Sequence, residues 1–309
     1  MKPKVSVIVP VLNREKLVIR CLESIKRQRV RPYELIVIDN GSEDGTVNAV
    51  TQWMLSNGGT RMKMHIHEEK RRGACRARQK GLENAKGDFV LFFDSDDEME
   101  PELIAESIKN ADSKTDIVCW KCRINLLNGG KKVSPFDPDH PVENHLIHSL
   151  LRPQGYMVRR DYLVKRGGWE KNLKVWNDYE LGLRLLIGNP KIKGINKILA
   201  TIHSQKDSIT GKDFSHKEGE WEKILQEMKH ENTSGNHPEK KNIGKIITYR
   251  EIILAAHYAK EGNKPAAKRL YQSAIKKASS SDKALLRIAY FYTRRGGRGI
   301  WRLLRHLYI

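Results

Sequence analysis

A chain of 309 residues is long for one domain and short for three, so one sizeable core with an appendage is expected. Lysine and arginine outnumber aspartate and glutamate by 57 to 37, and a formal charge of +20 predicts an acidic partner such as a nucleotide, a phospholipid surface or nucleic acid. The sequence holds no run of eighteen apolar residues, and its start, "MKPKVSVIVPVLNREK", has a short apolar stretch without a small-residue cleavage site, so neither a spanning helix nor an export signal is expected.

From residue 4 the apolar pattern alternates between two periods. "VSVIVPV" reads as a strand, residues 15–28 as a helix, "ELIVID" as a strand, 43–56 as a helix, "MKMHIHE" as a strand, 74–86 as a helix and "FVLFFD" as a strand. This βαβαβαβ succession predicts an α/β fold, a mostly parallel sheet flanked by helices. Ligands of such sheets collect outside the carboxyl ends of the strands. Three of those ends carry residues of little value to a core, "PVLN" at 10–13, "DNGSEDGT" at 39–46 and "DSDD" at 94–97, and they are expected side by side along one edge.

Pro101 opens the next helix, with acidic residues in the first turn as the helix dipole prefers. "DIVCWKCRIN" reads as a strand, so Cys119 and Cys122 are taken as structural; a second Cys/His pair at zinc spacing is missing. Four scattered cysteines fit a reducing, cytoplasmic setting. The polar stretch "NGGKKVSPFDPDHP" is long enough to suggest a binding loop. "WNDYELGLRLL" begins a helix that Asn177 or Asp178 can cap.

Residues 211–242 are polar and read as a connecting segment between a first domain, 1–210, and a small all-α region, 243–309. That region repeats itself: Leu254 and Ile288, Tyr258 and Tyr292, Gly262 and Gly296, Lys268 and Arg302, and Leu270 and Leu304 each stand 34 positions apart. This spacing resembles the tetratricopeptide helix-turn-helix unit. From Pro238 to Ile309 there are 17 lysines and arginines against four acids, so most of the chain's excess charge sits here. "RGIWRLLRHLYI" interleaves arginines with large apolar residues, a composition that suits either an anionic membrane interface or simple packing of the second hairpin. Nucleic acid is disfavoured as a partner because no recognition signature accompanies the charge.

The most informative stretch is "VLFFDSDDEM", where an apolar strand ends in Asp94, Asp96, Asp97 and Glu98. Carboxylates so crowded cost free energy unless a cation or a set of donors compensates them. Asp94 and Asp96 are two apart, so in extended chain both can reach one ligand. Hard oxygens of this kind suit Mg²⁺ or Mn²⁺, with substrate phosphates completing the shell. An acidic turn capping the next helix is the plainer reading.

The blocks "VSVIVPVLN", "LIVIDNGSEDGT", "GACRARQKGLENAKGDFVLFFDSDD" and "GGW…WNDYELGLRLL", in this order and spacing, closely resemble the family 2 glycosyltransferases, enzymes of the GT-A (Rossmann-like) fold that use nucleotide-diphospho-sugars. The resemblance covers about residues 4–210. It implies that Asp94, Ser95 and Asp96 form the DxD motif, with Asp96 on Mn²⁺ or Mg²⁺ and Asp94 near the ribose. It implies Pro10, Val11 and Asn13 around base and ribose, Asp39 on the base, Arg78 near the nucleotide or diphosphate, and His203 near the diphosphate or metal. Asp178 of "WND" aligns with the catalytic base that takes the acceptor's hydroxyl proton, and Trp176, Asn177 and Trp169 would lie on the acceptor side.

The chain departs from the family in having Asn177 where glutamate is usual, which removes a charge beside the base, and in lacking the QxxRW box of processive relatives. The implied activity is metal-dependent, inverting transfer of one sugar, from a UDP-sugar by family habit, to a hydroxyl of a glycan or lipid-linked glycan. It would serve cell-surface polysaccharide synthesis in the cytoplasm or at the inner membrane face. Plain structural roles stand beside these: turn formers for Pro10 and Asn13, an Asx turn for Asp39, a surface charge for Arg78, a helix cap for Asp178. Two other functions fit the sheet, a sugar-phosphate nucleotidyltransferase and a non-catalytic interaction module. The first wants a Gly-rich basic loop after the first strand, and "PVLNREK" does not supply one.

Overall fold

The computed structural model describes residues 2–59, 62–205, 214–234, 240–297 and 299–301. They divide into two compact units, Met1–Ser208 and Ile209–Ile309.

The first unit opens with β1 (Val5–Val11), α1 (Glu15–Lys26), β2 (Glu34–Asp39), α2 (Thr46–Ser56), β3 (Lys63–Glu68), α3 (Ala74–Asn84) and β4 (Phe89–Phe92). As the alternating periods predict, these four strands are parallel and ordered β3-β2-β1-β4. β1 and β2 are buried along nearly their whole length, because helices cover both faces and leave no solvent side to alternate toward. Val5, Val7, Val9 and Val11 share one core cluster with Val18, Cys21, Leu22 and Ile25 of α1. Val11 pairs with Asp39 and Ile8 with Phe92, so the loops after β1, β2 and β4 leave the sheet from the same edge.

The chain continues through β5 (Glu98–Met99), α4 (Leu103–Asn110), β6 (Ile117–Asn125), β7 (Lys131–Val133), α5 (Pro141–His148), a 3₁₀ turn at Pro153–Gly155, β8 (Tyr156–Arg159), α6 (Arg160–Lys165), α7 (Asn177–Ile187) and β9 (Ile192–His203). β8 inserts antiparallel between β4 and β6, β9 lies parallel to β6, and β5 closes the far edge, giving nine strands in a mixed sheet among the described residues. Part of the stretch expected as a binding loop joins this sheet. Its β7 pairs with β6, and Phe136 and Pro138 close over Gly194 of β9, where a Cβ would come within 2.5 Å of Pro138. Cys119 and Cys122 are fully buried free thiols whose pKa is pushed up to about 12 by burial, so they pack the core as neutral groups.

In the second unit the residues read as a connection contain a 17-residue helix, α8 (Glu218–Ser234), which packs through Trp221, Ile224, Leu225 and Met228. α9 (Lys240–Lys260) is the central element, flanked by α8, α10 (Lys264–Lys277) and α11 (Ser280–Arg294). The 34-residue repeat is visible in the backbone. Gly262 and Gly296 both sit at left-handed φ, +89° and +91°, just past α9 and α11. In each case the following residue's N–H returns to the tyrosine carbonyl five back, Asn263 to Tyr258 (2.9 Å) and Gly297 to Tyr292 (3.0 Å). These are two Schellman caps at equivalent repeat positions, where glycine avoids the penalty a side chain meets at positive φ. No helix among the described residues is long and apolar enough to cross a membrane. Arg302, Leu304 and the rest of the basic end beyond Trp301 lie outside the described residues.

Candidate active site

The edge formed by the loops after β1, β2 and β4 gathers most of the residues singled out in the sequence. Asn13 takes a left-handed conformation (φ +52°) and ties two loops together, its N–H donating to Ser42 Oγ (3.0 Å) and its Oδ1 accepting from the Glu43 N–H (2.8 Å). Pro10 is partly exposed and Val11 buried at the end of β1. Asp39 is 5% exposed and accepts from the N–H groups of Gly41 and Ser42, an Asx turn that shapes the loop. Asn40 links this loop to the next, donating to the Glu69 and Arg71 carbonyls and accepting from the Gly73 N–H.

The acidic turn after β4 is held by donors on almost every side. Asp94 Oδ1 accepts from Arg78 Nη2 (2.7 Å) and Asp94 Oδ2 from Gln154 Nε2 (2.6 Å). The same Gln154 nitrogen donates to Asp97 Oδ2 (2.6 Å), and the His203 N–H donates to Asp97 Oδ1 (2.8 Å). Ser95 is buried in the turn, and the Asp96 carbonyl accepts from Arg20 Nη2. The Asp96 carboxylate, by contrast, accepts a hydrogen bond from no other residue and forms no ion pair among the described residues, while Arg14 and Arg20 attract it from a distance. Burial first, then the Asp94 charge, raise the pKa of Asp96 above the ordinary aspartate value; Asp97, buried and flanked by both acids, is raised further.

Arg78 differs from its plain reading as a surface charge. It is 6% exposed, sits inside the protein beneath Asp94, and stacks on Trp169 with its guanidinium carbon 4.8 Å from the ring centroid. Its Nε and Nη1 are buried without a hydrogen-bond partner. Trp169, expected on the acceptor floor, is buried between Arg78 and the edge of Phe92, so it supports Arg78 and offers no face to a sugar. The "GGW" block explains its insertion. Gly167 and Gly168 are both at positive φ, and a Cβ on Gly168 would lie 2.4 Å from Gln79 Oε1, the atom that accepts the Trp169 N–H.

Asp178 stands in the first turn of α7, largely buried, with the Asn177 side chain accepting its N–H (2.8 Å). Its pKa is raised by burial and by the Asp94 charge, while Arg78 pulls the other way, so donor-side acid, buried guanidinium and α7 carboxylate share one electrostatic neighbourhood. Trp176, partly exposed at φ +47°, tilts its ring 5.4 Å from that of Tyr179. α7 is anchored by the bidentate Arg184–Glu180 pair, whose Nη2 also donates to the Gly168 carbonyl (2.8 Å).

His203 does not present its ring to Asp96. Nε2 lies 2.9 Å from Glu98 Oε1 and Nδ1 3.5 Å from Asn125 Nδ2, so both ring nitrogens are engaged, and its contribution to the acidic turn is its backbone N–H. No three His, Cys, Asp or Glu side chains come together as a metal cluster among the described residues. A single unpaired carboxylate fits a hard divalent ion that brings phosphate oxygens with it. Sequence reasoning missed Gln154 and Tyr156. The latter's hydroxyl is buried without a hydrogen-bond partner, in the electrostatic reach of Asp178 and Arg78. Nothing in "RPQGYM" marks either residue without knowing that β8 inserts beside β4.

Comparison with known proteins agrees with this fold. Residues 6–155 match the Glycosyl transferase family 2 model. The glycosyltransferase GlyG of Streptococcus pneumoniae is 30% identical over 119 residues, 38% of either chain. A Campylobacter jejuni GalNAc(5)-diNAcBac-PP-undecaprenol beta-1,3-glucosyltransferase is 33% identical over 122 residues, 40% of this chain and 39% of that one. The matched stretch thus spans about two fifths of the length of these curated relatives. Among solved structures, S. aureus TarS 1–349 in complex with UDP-GlcNAc superposes with a TM-score of 0.72 at 18% identity, covering 95% of this chain and 92% of that one. The Pyrobaculum calidifontis mannosyltransferase PcManGT in complex with GDP-Man and Mn²⁺ does so at 0.62 and 19%, covering 99% and 85%. The first unit therefore carries a glycosyl transferase family 2 domain on a GT-A-like α/β fold.

Proposed function

We propose that the chain is a metal-dependent, inverting glycosyltransferase that moves one sugar from a nucleotide-diphosphate donor, a UDP-sugar foremost, to a hydroxyl of a glycan or lipid-linked glycan. The observation that carries this reading is the contrast within the acidic turn: both oxygens of Asp94 and of Asp97 are engaged by protein donors, whereas the Asp96 carboxylate is left for a ligand. Asp96, with the Asp94 side of the turn, would hold Mn²⁺ or Mg²⁺. When bound, such an ion would neutralise charge growing on the departing diphosphate. Neighbours of the same fold whose structures contain Mn²⁺, PcManGT with GDP-Man among them, support the cation.

The protein's own groups then divide the work. The loops after β1 and β2, with Pro10, Val11, Asn13 and Asp39, cradle base and ribose. Arg78 braces Asp94 from beneath. Asp178 takes the proton of the acceptor hydroxyl as its oxygen attacks the anomeric carbon from the face opposite the leaving group, the geometry of inversion. Trp176, partly exposed two residues before Asp178, flanks the acceptor. The test is release of UDP from UDP-sugars by the purified chain without acceptor: slow hydrolysis with Mn²⁺ and none with chelator is expected. Cleavage that is indifferent to the ion would contradict the reading.

The name of the Campylobacter relative describes an undecaprenol-linked acceptor, and a lipid-linked acceptor calls for a site near a membrane. Residues 238–309 carry 17 lysines and arginines against four acids, and each basic residue near an anionic surface contributes about 1 kcal/mol. In low salt the full chain is expected to co-sediment with phosphatidylglycerol vesicles and to be released as salt rises. Equal recovery with neutral vesicles would count against an electrostatic attachment.

A further inference from the structure

Gln154 lies at a place where chemistry narrows the choice of side chain. It occupies the 3₁₀ turn ahead of β8, is 5% exposed, and has its backbone fixed by Trp120 Nε1 donating to its carbonyl (2.8 Å). Its one amide nitrogen donates to two carboxylates, Asp94 and Asp97, each at 2.6 Å. The two hydrogens of this amide nitrogen are enough for one bond to each acid. With the Arg78 and His203 donors, the amide completes the engagement of all four oxygens of the two acids on either side of Asp96.

A neutral double donor has a consequence that a lysine or arginine would not. It holds both acids at a fixed separation without adding a positive charge of its own to the turn, so it does not compete with a cation there. We infer that Gln154 is a positioning residue for the nucleotide–cation site: by tying Asp94 to Asp97 it fixes the turn in the shape that leaves the Asp96 carboxylate facing the donor. This rests on the reading of the turn as that site. Gln154 itself, buried behind the acids, touches neither donor nor acceptor.

The experiment titrates UDP into the full chain, with Mn²⁺ or with EDTA, for wild type, Gln154→Leu and Gln154→Glu. Loss of partners behind a metal ligand typically weakens metal affinity about 10–100-fold. Gln154→Leu is therefore expected to raise the UDP dissociation constant about tenfold or more in Mn²⁺, with no saturable binding in EDTA for either chain, and to raise the Mn²⁺ concentration at half-saturation. Gln154→Glu, of the same shape but with no donor and an added charge, is expected to lose more. Turnover of the leucine variant should recover toward wild type at high Mn²⁺, a KM effect that general loosening of the fold would not give. If Gln154→Leu does not fold, Gln154→Asn, too short to span both acids, serves in its place. Wild-type Mn²⁺ dependence in a folded variant overturns the inference alone, whereas failure of the wild type to bind UDP with Mn²⁺ overturns the proposed function and this inference with it.

Discussion

Asp178→Asn is expected to lower kcat by about 10² to 10⁴, the range that a positioned general base supplies, with donor affinity nearly unchanged. Asparagine keeps the size and the place at the head of α7 but cannot take a proton. Asp178 has its pKa raised by burial and the Asp94 charge, against the opposing pull of Arg78. A base works only when ionised, so activity should rise with pH through that raised value and fall away below it, an acidic limb that the asparagine variant lacks. The stability consequence has the opposite sense. Because the folded-state pKa lies above the unfolded one, the contribution to stability is full below the ordinary aspartate value and is lost as pH rises through the raised one. Asp178→Asn should therefore melt no lower than wild type at neutral pH. Pre-steady-state and steady-state turnover with a UDP-sugar, together with a melt, check both halves; full activity in the variant would remove Asp178 from the chemistry.

Asp96→Ala is expected to have the larger effect on binding. Removing residues behind a metal ligand costs about 10–100-fold in affinity, so removing the ligand itself should cost more than about 100-fold in Mn²⁺-dependent UDP affinity. Asp94→Ala should differ in kind, because that carboxylate holds Arg78 and Gln154 and its loss leaves a buried guanidinium without its counter-charge. It is expected to impair folding as well as binding. Asp96, which has no such partners, can be removed with the turn intact.

The parallel half of the sheet was legible because β1, β2 and β4 are buried on both faces, β3 alternates at the edge, and amphipathic helices separate them, so hydrophobic period alone marks them. In the other half only β6 was legible, from "DIVCWKCRIN". β8 is four residues, β9 mixes exposed polar positions with apolar ones and is interrupted by irregular pairing with β6, and β5 has two residues. These elements are specified by the neighbours they meet, a tertiary effect that local pattern does not carry. The same division governs the site. Asp39, Asp94, Asp96 and Asp178 stand out as acids at element ends, while Gln154 is an ordinary polar residue until β8 brings it against the acidic turn. Arg78 and Trp169 were visible as residues but not as a buried stack, because only Gly167 and Gly168 turning the chain inward puts them together. His203 was visible as a histidine near the acids, but its ring goes to Glu98. The repeat in the second unit was legible from Gly262 and Gly296, since a helix-ending glycine at a fixed interval reports backbone geometry directly.

The most direct measurement is calorimetric titration of UDP into the wild-type chain in Mn²⁺ and in EDTA, repeated on Asp96→Ala. Saturable binding that requires Mn²⁺ in the wild type and is lost in the variant is the predicted result. UDP bound equally well without the ion, or equally by Asp96→Ala, would mean that the acidic turn after β4 does not hold the donor's diphosphate.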